Sequence, residues 1–334
     1  MDTRSLYFTG PREVTVRERP VPDPGPEQVR VKTERSAISP GTELLLYRDE
    51  VPADIDIDET IDALDGTLSY PLQYGYAAVG RVSETGTSVD DDWEGRRVFA
   101  FHPHESHFLA SPSELIPIDQ PAKRATLLAN AEAAVNFVMD GRPRVGDRVV
   151  VFGQGVVGLL TTAILAEFPL GELVAVDPYE RRREVSKQLG ADAAVPDAAA
   201  LESAVATEYV DGADVTFEVS GNPDALDDAI DATGYAGQVI VGSWYGNKPA
   251  TLHLGGEFHR SHVRVRSSQV SRIDPDHTGR WDKERRLSLV RDLLADVDVS
   301  ALVSHEFPVE RANDAYELLD NAPEQTLGVV LTYE

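Results

Sequence analysis

The chain has 334 residues, 42% of them apolar and 26% charged, and no cysteine. That composition excludes a wholly disordered chain, a disulfide framework, a thiolate nucleophile and a cysteine-ligated zinc site, and the length suits two domains of about 150 residues each. The net charge of −26 turns the chain away from nucleic acid, and no apolar run reaches the roughly 20 residues of a membrane span.

Residues 1 to about 120 read as β-rich. Short apolar runs at Val14–Val16, Gln28–Lys32 and Ala78–Val82 are separated by turns bearing Pro and Gly. Between Asp49 and Asp65 lies an acidic stretch, read as a solvated excursion, whose spacing matches no calcium-loop pattern. From about Ala122 short apolar strands alternate with helices. A helix is predicted over Ala125–Met139, a strand over Arg148–Phe152, a helix over Val156–Phe168 and a strand over Leu173–Val176. A helix over Arg181–Leu189, strands over Ala193–Val195 and Val215–Val219, a helix over Ala225–Ala232 and a strand over Gln238–Val241 follow. This alternation predicts an α/β domain with a doubly wound parallel sheet covered on both faces. An Arg-rich helix near Asp282–Leu294 and a strand-like Leu327–Leu331 complete the series.

The run Val149-Val150-Val151-Phe152-Gly153-Gln154-Gly155-Val156-Val157-Gly158 sets G-x-G-x-x-G between a predicted strand and a predicted helix. In such a turn Gly153 allows the tight bend, Gly155 lets the backbone approach a pyrophosphate, and Gly158 lets the helix pack close to the strand. The phosphates then meet free N–H groups at the positive end of the helix dipole. Asp177 ends the next predicted strand, 19 residues beyond Gly158. Its two acceptor oxygens suit the ribose hydroxyls of NAD and would repel a 2′-phosphate. NAD is therefore the expected cofactor. NADP is the alternative, because Arg181, Arg182 and Arg183 follow closely; their plainer reading is a solvated helix start.

These residues resemble the medium-chain dehydrogenase/reductase superfamily, which includes the zinc alcohol dehydrogenases and quinone oxidoreductases. Further marks are Ile38-Ser39-Pro40-Gly41-Thr42-Glu43, Tyr74-Gly75-Tyr76-Ala77, Val145-Gly146-Asp147-Arg148-Val149, Leu189-Gly190-Ala191-Asp192, Glu218-Val219-Ser220-Gly221 and Ala315–Asp320. The resemblance covers nearly the whole length. It implies a GroES-like β-rich catalytic domain over 1–121, a Rossmann NAD(P)-binding domain over 122–268 and a C-terminal return over 269–334. It also implies a cofactor held between the domains, and a homodimer or homotetramer. Candidate cofactor-binding residues are Gly153, Gly155, Val156, Val157, Gly158, Asp177, Ser220 and Gly242.

The chain departs from the zinc enzymes at the metal. Their cysteine ligand is replaced by Pro40, and their ligand histidine by Tyr76. The third ligand falls near Glu132-Ala133, where only Glu132 could serve. The four-cysteine lobe is missing. Zinc is therefore not expected. The resemblance makes Thr42 the relay hydroxyl and points the Tyr76 phenol into the former metal pocket, as a hydrogen-bond donor or as a space-filling ring. Glu43 is expected to fix backbone or orient a neighbour. His102, His104 and His107 follow a predicted strand, and three uses are open: a proton donor (His102 or His104), a replacement metal site, or ordinary packing. Trp244, Tyr245 and Arg280-Trp281 are candidates for a substrate pocket or, equally, for core.

The expected function is zinc-independent, NAD(P)-dependent hydride transfer on an alcohol or carbonyl group of a small molecule, in the cytoplasm, with no nucleic-acid or membrane partner. The stretch from Ser36 to Glu43 is similar to a branch with bacteriochlorophyllide-type and threonine-dehydrogenase-like members, which implies a substrate larger than ethanol. Two alternatives stand beside it: a quinone or enone reductase, and a catalytically silent nucleotide-binding sensor. Only five of the 31 basic residues are lysine. Acidic, lysine-poor usage predicts a halophilic protein, suited to molar salt where the screening length is about 3 Å.

Overall fold

The computed structural model describes residues 1–52, 61, 63–64, 67–201 and 212–334. Most of the acidic stretch 49–65 lies outside the described residues. The chain forms two units, residues 1–129 with 303–334, and residues 130–302.

Unit one begins with an antiparallel pair, β1 (Asp2–Gly10) and β2 (Glu13–Pro20). Its main sheet contains β3 (Val29–Ile38), β4 (Ala78–Thr85), β5 (Arg97–Ala100), β6 (His107–Ala110) and β7 (Leu115–Pro117). Two strands from the chain's end join it, β14 (Val303–Pro308) and β15 (Gly328–Thr332), giving the order β14-β15-β3-β4-β5-β7 with β6 paired to β3. The strand β15 is an unbroken apolar run, Gly-Val-Val-Leu, because it is buried on both faces between β14 and β3. A helix α1 (Pro40–Tyr47) follows β3. Pro40 suits the first turn, where a missing N–H costs nothing, and Glu43 suits the positive helix end. The three leucines Leu44, Leu45 and Leu46 then enter a core with Leu6, Phe8, Tyr316 and Val329. Tyr316, on the helix Ala312–Asn321, stacks on Tyr47 at 5.4 Å and meets Phe8 edge-on at 5.3 Å. The β-rich reading of residues 1–120 did not include α1, because Gly41 and a length of 8 residues hid its helical signals.

The helices α2 (Ala122–Ala125) and α3 (Leu128–Gly141) replace the single helix predicted over 125–139; the chain breaks at Thr126-Leu127. Unit two is a six-stranded parallel sheet. Its strands are β8 (Arg148–Phe152), β9 (Glu172–Val176), β10 (Ala193–Val195), β11 (Ala213–Glu218), β12 (Thr233–Val241) and β13 (Arg264–Ser267), with α4 (Val156–Ala166) and α5 (Glu180–Gln188) among the crossovers. The order is β10-β9-β8-β11-β12-β13. The strand order reverses between β8 and β11, the position where parallel sheets open a ligand crevice at their carboxyl ends. Separate apolar clusters hold the sheet, one around Val150, Val174 and Ile230, another around Val151, Leu165 and Phe217. β12 starts at Thr233, earlier than the predicted Gln238, because Gly234 and Gly237 hide its first half.

On α3, Glu132, Asn136 and Asp140 recur every four residues and share one face. Arg286 is fully buried against this stripe. Its guanidinium donates to Glu132 Oε1 at 2.7 and 3.1 Å, to Asn136 Oδ1 at 2.6 Å and to Val270 O at 2.6 Å. Ser268 Oγ donates to Asp140 Oδ2 at 2.6 Å. These bonds tie 268–286 to α3, which explains why residues 269–302 belong by contact to unit two and the return to unit one starts at Val303.

Arg286→Met would leave the Glu132 charge buried and unpaired. We expect it to lower the unfolding free energy by about 3–5 kcal/mol in denaturant titration, with most of the loss recovered in Arg286→Met/Glu132→Met. A single variant as stable as the parent would contradict this reading of the stripe.

Candidate active site

In unit two the glycine turn joins β8 to α4. Gly153 has φ +90°, and a Cβ there would lie 2.5 Å from Ser220 Cα. A Cβ on Gly158 would lie 1.8 Å from Gly153 O. Neither position admits a side chain. Gly155 differs: no atom lies within 4 Å of where its Cβ would stand, so its backbone faces open space. It is the N-cap of α4 and offers no side-chain cap. The first N–H groups of a helix, here from Val156, Val157 and Gly158, lack intrahelical partners and suit an anion. The Val156 side chain is itself buried, so it is the backbone of this turn that is presented.

Asp177 follows β9 and is 2% exposed. Its Oδ2 accepts from Gln154 N at 2.7 Å and its Oδ1 from Tyr179 N at 2.9 Å. Each oxygen can still accept one more bond. The acid thus grips the glycine turn while facing the same sheet end. Arg183 is turned toward backbone, donating to Asp177 O at 2.7 Å and Pro178 O at 2.8 Å. Arg182 lies over the Tyr179 ring at 4.8 Å, with Nη1 3.7 Å from Asp177 Oδ2.

A residue that sequence reasoning quoted only as a family mark organises the neighbouring strand ends. Glu218, fully buried at the end of β11, accepts from Ser220 N at 2.8 Å, from Ser220 Oγ and from the Tyr245 hydroxyl. Burial, then the Glu218 charge, raises the pKa of Tyr245, so its phenol keeps its proton as a donor. Ser243 Oγ accepts from Gly221 N at 2.8 Å, which ties the loop after β12 to the loop after β11. Tyr245 is therefore a strut, whereas Trp244 beside it is 38% exposed. Gly242 leaves room for the Phe137 ring, 2.5 Å from where a Cβ would stand. Trp281 carries the Arg285 guanidinium at 4.1 Å.

In unit one, the start of α1 and the segment 74–76 bring three hydroxyls together. Tyr76 OH donates to Ser39 Oγ and lies 3.3 Å from Thr42 Oγ1. Thr42 and Tyr76 are both partly exposed. Behind them Glu43 is fully buried. Its Oε1 accepts from Ser39 N at 2.7 Å, and its Oε2 from the Tyr316 hydroxyl and from His104 Nε2 at 3.0 Å. His104 Nδ1 lies 2.6 Å from Ser36 Oγ, which lies 2.8 Å from Tyr333 OH. Burial, reinforced by Glu43, raises the pKa of Tyr316 well above its usual range, and burial also raises that of Tyr333. Both phenols keep their protons, and Tyr316 donates its own to Glu43.

The histidines separate. His104 is fully buried with both ring nitrogens engaged, so it meets the hydroxyl pair through Glu43 and not directly. His102 stacks on Phe108 at 3.9 Å and its Nδ1 lies 3.1 Å from Pro103 O. His107 opens β6, with Nδ1 3.2 Å from Ser106 Oγ. Glu132, the one carboxylate near the third ligand position, is held by Arg286. Among the described residues no group of three or more His, Asp or Glu side chains is placed to hold a metal ion.

The profile of the zinc-binding dehydrogenase family matches residues 156–283. Across 92% of this chain and 93% of the relative, the sequence is 25% identical to D-guloside 3-dehydrogenase of Escherichia coli K12. The profile and the relatives support membership of the medium-chain dehydrogenase/reductase superfamily. The chain is an alcohol dehydrogenase-like oxidoreductase. A second relative, L-threonine 3-dehydrogenase of Legionella pneumophila Corby, is 24% identical over 96% of each chain. An Escherichia coli CFT073 alcohol dehydrogenase, solved with NADH, superposes with a TM-score of 0.77 at 18% identity, covering 99% of each chain. The superfamily pairs a GroES-like β domain with a Rossmann sheet, and the two units have those architectures. The zinc-binding profile covers part of unit two and none of the hydroxyl cluster in unit one.

Burial lowers the pKa of His102 below its ordinary 6.5. The folded ring stays neutral where the unfolded ring takes a proton, so the chain loses stability as pH falls below that value. His102→Gln should show a shallower loss between about pH 6.5 and 5.5 in thermal melts; identical slopes would refute the assignment.

Proposed function

We propose that this oxidoreductase moves hydride between NAD and an alcohol or carbonyl carbon, without zinc. The observation that carries the reading is the hydroxyl cluster of unit one: the positions matching two zinc ligands hold Pro40, which has no donor atom, and Tyr76, whose phenol is bonded to Ser39. The third candidate, Glu132, is neutralised by Arg286. This donor set does not fit zinc.

The dinucleotide fits the residues present. The open backbone at Gly155, the glycine contacts at 153 and 158, and Asp177 at the end of β9 support binding of a pyrophosphate and a ribose diol. The carboxylate of Asp177 favours NAD over NADP. When bound, the nicotinamide supplies the hydride chemistry. Thr42 and Tyr76 hold the substrate oxygen by hydrogen bonds once the phenol proton turns to it from Ser39 Oγ, and Tyr76 gives that proton to the oxygen in reduction and receives it in oxidation. The two relatives are each named for dehydrogenation at a position 3. A secondary alcohol on a polar, polyhydroxylated or amino-acid-like molecule is the substrate class we propose. The acidic surface, with its five lysines, supports a working place in a salt-rich cytoplasm, and the outer strand β13 supports assembly as a homodimer or homotetramer.

Titrations in about 2 M KCl, where surface charge is screened, test both halves. Asp177→Ala should weaken NADH binding by about tenfold or more and NADPH binding much less. Tyr76→Phe should lower kcat on the order of 100-fold at unchanged NADH affinity. Equal weakening of both cofactors would remove the NAD preference, and unchanged turnover would remove Tyr76 from the chemistry.

A further inference from the structure

Resting on that reading of Tyr76, we propose that the buried carboxylate of Glu43 is the positioning residue for Tyr76, acting through Ser39 on its hydroxyl and through His104 on its backbone. Glu43 has no exposed surface, so it meets no substrate. A buried carboxylate costs several kcal/mol unless its oxygens are satisfied. Here three donors converge on it: Ser39 N–H, the Tyr316 hydroxyl and His104 Nε2–H.

The first route is short. The Ser39 N–H is fixed on Glu43 Oε1 at 2.7 Å, and the Oγ of the same residue receives the Tyr76 hydroxyl. Moving the Ser39 backbone moves the acceptor that orients the phenol. The second route runs under the ring. Gly75 has φ +112°, and a Cβ there would lie 2.7 Å from the His104 ring, so the backbone just before Tyr76 lies directly on that imidazole. His104 N also donates to Tyr74 O at 3.3 Å. The ring's tautomer follows from its partners. Tyr333 donates to Ser36, Ser36 donates to Nδ1, and Nε2–H donates to Glu43. Ser36, His104 and Glu43 thus stand in the order of a nucleophile, base and acid. All three are sealed from solvent, however, and the Ser36 hydroxyl is engaged by Tyr333. No reactant reaches them, so the array holds position and does no chemistry of its own.

Glu43→Gln separates charge from shape. One carboxamide arm is a donor and must face a donor. If it faces Ser39 N–H, Ser39 shifts; if it faces His104, the ring answers by moving its proton to Nδ1. The experiment compares Glu43→Gln, Ser39→Ala and Tyr76→Phe, using NAD with a secondary-alcohol panel that includes L-threonine and methyl glycosides, and ¹⁵N histidine spectra read without any substrate. We expect kcat to fall by about tenfold or more in Glu43→Gln and Ser39→Ala, with KM and NADH affinity unchanged, and the His104 nitrogen signals to report Nε2–H in the parent chain. Should Glu43→Gln fail to fold, Ser39→Ala carries the test alone, since it removes one hydroxyl and leaves Glu43 in place. A slow Tyr76→Phe beside parent-like Ser39→Ala and Glu43→Gln would overturn the positioning role and leave Tyr76 standing. An unaffected Tyr76→Phe would overturn both. An Nδ1–H tautomer in the parent chain would overturn the His104 route.

Discussion

A carboxylate without solvent must be answered by donors, and in unit one Glu43 is such a carboxylate. The donors come from α1 itself, from His104 and from Tyr316, 273 positions away along the chain. Ser36 on β3 and Tyr333 at the end of the chain extend the same network. One charge therefore fixes the relation between the start of α1, the 74–76 segment, and the C-terminal helix and strand that return to this unit. The partly exposed pair Thr42 and Tyr76 sits on the front of this framework. The proton handling we propose for it would depend on small displacements, since a catalytic donor misplaced by about 1 Å can lose on the order of 100-fold in rate.

Unit two solves its own version of the same problem three times. Asp177 is satisfied by two backbone N–H groups, one of them inside the glycine turn, so the acid we propose for the ribose also shapes that turn. Glu218 is satisfied by Ser220 and Tyr245 and locks the loops after β11 and β12. Glu132 is satisfied by Arg286 and holds the helix Lys283–Asp296 against α3. In a chain of net charge −26, these acids are among the few kept dry, and each is placed where a loop or helix must hold its position.

Much of unit two was legible in the sequence because its strands are buried on both faces. Val149, Val150 and Val151 make an apolar run that no surface strand would carry. The glycine spacing was legible because each of Gly153 and Gly158 answers a local clash. Unit one was harder. The helix α1 announces itself with Pro40 and Glu43, but Gly41 and its shortness conceal it. The spacing of His102, His104 and His107 left a shared metal site, a proton donor and ordinary packing all open, and the backbone sends one ring onto Phe108, one toward Glu43 and one to the start of β6. The pairing of Glu43 with Tyr316 and His104 left no periodic signal at all, because it joins residues far apart in the chain. Glu218 gave a quotable motif without its purpose, since its partner Tyr245 is supplied by another strand's loop.

We propose that hydroxyls set on a buried carboxylate stand here where zinc dehydrogenases hold their metal. Zinc content per chain, measured on protein purified without chelator and paired with turnover before and after chelation, addresses it most directly. We expect zinc far below one per chain and turnover indifferent to chelation. One firmly held zinc per chain, with turnover lost on its removal and restored on its return, would contradict it.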